Sequence, residues 1–151
     1  MSRFDSGEPI LDQWLRKRAL GNESSGASRT YVIHMNGIVV GYYSLAVGSI
    51  AHSQTPGRIR RNMPDPIPAM ILGRLAVDRT QQGSGLGSAL LRDAILRTFQ
   101  AAEIAGIRVM LVHAISERAR KFYMDRGFLA SLVDPLTVMI SLQEISRTLP
   151  Q

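Results

Sequence analysis

The segment that most narrows what this chain can fold into is Gln82-Gly83-Ser84-Gly85-Leu86-Gly87. Three glycines in six residues favour neither helix nor strand, so the backbone must turn here. Before the turn comes an apolar run of buried-strand type, Ala69-Met70-Ile71-Leu72-Gly73-Arg74-Leu75-Ala76-Val77-Asp78. After it, Leu86, Leu90, Leu91, Ala94, Ile95 and Leu96 predict the apolar side of a long helix. A buried strand that turns through glycines into a helix is an α/β arrangement. The same turn presents several backbone N–H groups at the positive end of a helix, a ready cradle for an anion. Two familiar phosphate loops do not fit. A P-loop needs lysine and Ser/Thr after its last glycine, whereas Gly87 is followed by Ser88-Ala89. A dinucleotide fingerprint needs G-x-G-x-x-G, and counting from Gly83 or Gly85 its last position falls on Ser88 or Leu90. A glycine turn without a ligand remains the plain alternative.

The flanking chain reads as one domain, residues 1–151, without repeats or an interdomain linker. Pro9 followed by Leu11, Trp14 and Leu15 predicts a first amphipathic helix, ended by the loop Gly21–Gly26. Thr30–Met35, Asn36-Gly37 and Ile38–Val47 predict a hairpin. The segment Pro56–Pro68 holds four prolines in thirteen residues, which argues against helix or inner strand. Ile107–His113 predicts a strand, Glu117–Asp125 a short helix closed at Gly127, and Phe128–Leu132 and Thr137–Leu142 two last strands.

Composition excludes several classes of function. With no cysteine, the 151-residue chain has no disulfide scaffold, thiolate metal site or cysteine nucleophile, and no metal is expected. No apolar run approaches a membrane span, and Met1-Ser2-Arg3-Phe4-Asp5 lacks a secretory h-region, so a cytoplasmic protein is expected. The net charge is +6, and all basic residues except Lys17 and Lys121 are arginine, the side chain whose planar fork matches phosphate. Arginine usage throughout the genome explains this equally well. Clustering is more specific: Arg58, Arg60 and Arg61 sit in the proline segment, Arg16 and Lys17 on the first helix, and Arg29 and Arg74 near the predicted cleft. Each also reads as an ordinary solvated face, and Arg74 as an ion pair within its strand.

The spacing Gln82-x-x-Gly85-x-Gly87, between strand and leucine-rich helix, resembles the acetyl-CoA loop of the GNAT superfamily of N-acetyltransferases. Ala119-Arg120-Lys121-Phe122-Tyr123-Met124-Asp125-Arg126-Gly127-Phe128 is similar to that family's A-x-x-F-Y-x-x-x-G-F ending. Gly26-Ala27-Ser28-Arg29-Thr30, Tyr42-Tyr43-Ser44-Leu45, Pro56–Pro68 and Gly73–Asp78 further resemble the acetyltransferase toxins of bacterial toxin–antitoxin modules. The likeness runs from about Asp12 to Leu142. The few residues before the first helix leave the family's first strand short or missing.

The resemblance implies a mixed, mostly antiparallel sheet with helices on both faces and a splayed acetyl-CoA cleft. It implies that Leu75, Ala76 and Val77 pair with the pantetheine arm. Gln82, Gly83, Ser84, Gly85, Leu86, Gly87 and Ser88 would hold the pyrophosphate, and Ser116 would add a polar contact. Tyr123 would give the departing thiolate its proton. The residues themselves leave a solvated turn for Gln82, an N-cap for Ser116 and core packing for Tyr123 open. The implied reaction moves acetyl from acetyl-CoA to the α-amine of aminoacyl-tRNA and inhibits translation. Arg58, Arg60, Arg61, Arg74, Arg29, Arg16 and Lys17 would then contact tRNA. The implied partners are a ribbon-helix-helix antitoxin and a second copy of the chain. His34, His52 and His113 are not spaced to reach Tyr123, and the missing base suits an α-amine, with its pKa of about 7.7–8.0, better than lysine at about 10.4. The alternatives are acetylation of a small amine or protein N-terminus, and a non-catalytic binding module.

Overall fold

A computed structural model describes residues 4–17 and 28–148. The loop expected at Gly21–Gly26 lies outside the described residues. The order of elements is α1 (Pro9–Lys17), β1 (Arg29–Met35), β2 (Ile38–Ile50), α2 (Gly57–Arg60), β3 (Ile67–Val77), α3 (Leu86–Ala105), β4 (Val109–His113), α4 (Glu117–Met124), β5 (Leu129–Ala130), β6 (Thr137–Ser141) and α5 (Leu142–Thr148). Six strands lie in the order β1-β2-β3-β4-β6-β5, and the pairs β1/β2, β4/β6 and β5/β6 are antiparallel. Two compact units divide the chain, Met1–Ala46 with Leu72–Leu96, and Val47–Ile71 with Arg97–Gln151.

In the first unit the hairpin forms where Asn36-Gly37 predicts it. Both residues have positive φ, 54° and 78°, which is the twist-matched turn that pairs Met35 with Ile38. Strand β2 then alternates between two helices. Tyr42 faces α1: its hydroxyl donates to Leu11 O at 2.6 Å, and its ring stacks on Trp14 and meets Phe4 edge-on. Gly41 and Tyr43 face α3, with Leu90 close over Gly41 and the Tyr43 hydroxyl donating to Asp93. The sheet is therefore covered by helices on both faces in this unit. A Cβ at Gly41 would stand 3.0 Å from Leu90 Cδ1, so glycine is what lets the head of α3 approach. No strand precedes α1 among the described residues. Instead buried Phe4 and the backbone of Asp5 anchor that segment, with Asp5 N–H on Asp78 Oδ2 and Arg79 N–H on Asp5 O.

In the second unit Ile50, Ile59, Ile67, Ala69, Val109, Leu111 and Met139 form one core. Several expectations change here and in α3. Gly57–Arg60 is a helical turn inside the proline segment, because Pro56 sits before the first turn, where a missing N–H does no harm, and its carbonyl accepts from Ile59 and Arg60. Strand β3 starts at Ile67 and includes Pro68, whose carbonyl accepts from Arg108 N–H while no donor is asked of it. Leu96 is 53% exposed: it stands about 200° around the helix from buried Ala94, off the apolar stripe. Residues after Ser141 form helix α5 where strand was expected to run to Leu142, with Ser141 Oγ accepting from Glu144 N–H.

Candidate active site

The glycine loop is built by the residues before it. Burial pulls the Asp78 carboxyl upward, but hydrogen bonds from Asp5 N–H, Thr80 N–H and the Thr80 hydroxyl, with Arg79 nearby, outweigh it and hold the carboxyl below its ordinary value. Asp78 caps the short 3-10 turn Arg79–Gln81 that leads into the loop. Gln82 is exposed, yet its side chain is engaged. Its side-chain amide donates to Ser6 O at 2.6 Å and to Val77 O at 2.9 Å, clamping the loop to the end of β3.

Gly83 and Gly85 have φ of 83° and 88°, conformations open to glycine and strained for other residues. A Cβ at either would meet nothing within 4 Å, so backbone angle and not space selects glycine. The N–H groups of Gln82 and Ser84 turn back to Arg79 O and Gln81 O. Ala89 N–H makes the first bond of α3, to Gly85 O. The N–H groups of Gly83, Gly85, Leu86 and Gly87 have no partner among the described residues. Such donors at a helix head are what a diphosphate needs, so the residues present fit the anionic end of a coenzyme A thioester. Leu75 is half-buried, and Ala76 and Val77 are buried, on the strand that feeds this loop.

In the second unit Tyr123 is 5% exposed on α4, its ring edge-on to Phe122 and Phe128 at 5.1 and 5.5 Å between centroids. Its hydroxyl makes no hydrogen bond among the described residues, and it is not one of their fully sealed unpaired polar atoms. Burial pushes its pKa well above the usual tyrosine value and outweighs the opposing charge of Arg126, so the group keeps its proton. Ser116 caps α4 by accepting from Ala119 N–H at 3.1 Å.

The basic residues fall into separate settings. Buried Ile59 pins α2 into its core, leaving Arg58, Arg60 and Arg61 exposed. Arg58 reaches Glu144 at 3.0 Å and Arg60 reaches His52 O at 3.3 Å. Arg74 lies 4.3 Å above the Trp14 ring, a cation–π contact. Arg29 is exposed on β1, and Arg16 and Lys17 lie on α1, where only their backbone is described.

One relay is not visible in the sequence. Thr137 donates its hydroxyl proton to Asp134 at 2.8 Å, so His113 Nδ1, 2.9 Å away, is placed to donate to Thr137. Residues 113 and 137 meet only through the β4/β6 register, which spacing along the chain does not reveal. His52 is engaged differently, its Nε2 lying against Met63 O and Pro64 O.

A strand that turns through glycines with free donors into a long helix fits an acyl-CoA-dependent transferase. Comparison with known proteins agrees. The family model for an acetyltransferase (GNAT) domain matches residues 26–129. A tRNA-acetylating toxin of Mycobacterium tuberculosis is 55% identical over 144 residues, covering 95% of this chain and 87% of that protein. The structure of AtaT complexed with acetyl-methionyl-tRNAfMet superposes with a TM-score of 0.88 at 28% identity, covering 96% of this chain and 89% of that one. A tyrosine-to-phenylalanine variant of AtaT bound to the C-terminus of the antitoxin AtaR and acetyl-CoA gives 0.83 at 26% identity, covering 99% and 90%. The chain belongs to the GNAT acetyltransferase family. Among the described residues no metal-binding group is present and no helix is long and apolar enough to cross a membrane.

Proposed function

We propose that this protein transfers the acetyl group of acetyl-CoA to the α-amine of an amino acid esterified to tRNA, and so inhibits translation in the bacterial cytoplasm. The observation that carries this is the 55% identity, over nearly the whole chain, to a protein named for acetylating tRNA. The free N–H groups of Gly83, Gly85, Leu86 and Gly87 bind the diphosphate, and the backbone of Leu75–Val77 pairs with the pantetheine arm. The Gln82 side chain holds the loop in place from behind. Bound acetyl-CoA supplies an activated thioester. As the N–C bond forms and the C–S bond breaks, the Tyr123 hydroxyl gives its proton to the leaving sulfur, and the proton shed by the acylated nitrogen returns through water to the phenolate. Its unpaired hydroxyl and raised pKa support that role: the proton is present at neutral pH and committed to no other group. Exposed Arg58, Arg60 and Arg61, with Arg29 and Arg74, offer phosphate contacts that read shape and backbone. A small antitoxin protein completes the module, as with AtaT and AtaR.

Adding the protein to a cell-free translation reaction tests the reading. Synthesis should stop only when acetyl-CoA is supplied, and fresh charged tRNA should restart it. Arrest without acetyl-CoA, or none with it, would rule the function out.

A further inference from the structure

Within the first unit, the glycine loop is held by a segment far from it in the chain. Asp5, Ser6 and Gly7 lie along the run from Asp78 to Gln82. Asp5 N–H donates to Asp78 Oδ2 at 2.9 Å, and Asp5 O accepts from Arg79 N–H at 2.8 Å. Asp5 Oδ1 also pairs with Arg79 Nε at 3.3 Å. Ser6 O accepts from the Gln82 amide at 2.6 Å. Gly7, at a φ of 91°, passes so near that a Cβ there would stand 3.3 Å from Arg79 Nε. The loop's own turn bonds are longer: Gln82 N–H reaches Arg79 O at 3.4 Å, and Ser84 N–H reaches Gln81 O at 3.3 Å. Its placement is therefore set from outside.

Asp12 fixes that segment in turn. It is buried on α1, and its carboxylate accepts the Ser6 N–H at 3.0 and 3.2 Å and the Ser6 hydroxyl at 2.6 Å. Donors bound to a carboxylate are held more strongly than those in neutral hydrogen bonds. Helix α1 is itself seated on β2 by the Tyr42 hydroxyl on Leu11 O and by the Trp14 stack. Ser6 is thus gripped from both sides, its N–H and hydroxyl by Asp12 and its carbonyl by Gln82. From this we infer that Asp12 is a positioning residue for acetyl-CoA: through Ser6 and Gln82 it sets where the free N–H groups of the glycine loop stand. The inference rests on the reading that those N–H groups hold the diphosphate. A loop whose donors are already aimed loses less affinity to ordering, so loosening it weakens cofactor binding and leaves the reacting atoms alone.

The test uses Asp12→Ala, Asp12→Asn, Gln82→Ala and the double variant Asp12→Ala/Gln82→Ala in the full chain. Calorimetry measures acetyl-CoA affinity, and kinetics separates kcat from KM for acetyl-CoA and for charged tRNA. Asp12→Ala should bind acetyl-CoA about five- to ten-fold more weakly and raise its KM to match. The kcat and the KM for charged tRNA should stay in place. Asp12→Asn keeps Oδ1, the oxygen that takes both Ser6 donors, and should restore the affinity. Since Asp12 acts through Gln82, the double variant should bind no more weakly than the weaker single one. Lower melting in Asp12→Ala with acetyl-CoA affinity intact would make Asp12 a support of α1 alone and overturn the inference. Additive losses in the double variant would overturn it too. If Asp12→Ala does not fold, Ser6→Ala removes one bond to the carboxylate and should weaken acetyl-CoA roughly three-fold, and unchanged affinity there would overturn the inference. Unchanged affinity in Gln82→Ala as well would instead refute the loop as the diphosphate site.

Discussion

At the scale of single residues, Tyr123 is the group whose environment says most about chemistry. A buried ring between Phe122 and Phe128 with an unused hydroxyl suits a proton donor better than a packing element, since packing alone would be served by phenylalanine. Tyr123→Phe should therefore leave melting and acetyl-CoA affinity in place while turnover drops about 10²–10⁴-fold. The pH dependence follows from the direction of the shift. A pKa raised by burial keeps the phenol protonated beyond the ordinary value of about 10, so no alkaline fall in rate should appear below that pH. The acceptor α-amine must lose its proton, so kcat/KM should climb through about pH 7.7–8.0 and then level. The variant should keep that climb at a lower rate. A near-normal rate in Tyr123→Phe, or an alkaline limb near pH 9 that vanishes in it, would contradict the assignment. The tyrosine was legible in the sequence because Phe122-Tyr123 and Gly127-Phe128 are adjacent along the chain. The contact of His113 with Thr137 was not, because only strand register brings them side by side.

At the scale of elements, the glycine loop depends on parts outside its motif. The motif shows why Gly83 and Gly85 are glycine, since their φ values demand it. It does not show that the Gln82 amide faces two carbonyls, one of them 76 residues away. That arrangement separates two substitutions. Gln82→Ala deletes two donated hydrogen bonds of about 1 kcal/mol each, so melting should fall and acetyl-CoA should bind about ten-fold more weakly. Gln82→Glu should be worse, because it turns a carboxylate onto the oxygens of Ser6 and Val77. Equal effects, seen by calorimetry and thermal melting, would mean the side chain touches ligand or solvent instead. The proline segment teaches the converse lesson. Four prolines argue against regular structure, yet Pro56 stands where a helical turn needs no N–H, and Ile59 supplies the burial that holds the turn.

At the scale of the whole molecule, the opening hairpin and a mixed α/β sheet were legible from hydrophobic period, one Asn-Gly turn and two spaced motifs, whereas the strand order was not, because pairing between distant segments leaves no mark along the chain. The acceptor was legible only by likeness, since folds of this kind serve many amines. The charge of +6, carried by arginine, points toward phosphate but does not name the molecule that bears it. A tRNA acceptor has a distinct signature, because each phosphate neutralised on binding steepens the fall of log affinity with log salt by about 0.7–0.9. The decisive measurement supplies labelled acetyl-CoA together with charged tRNAs, free amino acids, polyamines and a lysine-rich protein, then digests the RNA with nuclease. The label should be recovered on the α-nitrogen of aminoacyl-adenosine, in a reaction that weakens steeply with salt, with the free amino acids untouched. Label on polyamines or protein lysines, with the charged tRNA unmodified, would contradict the proposed function.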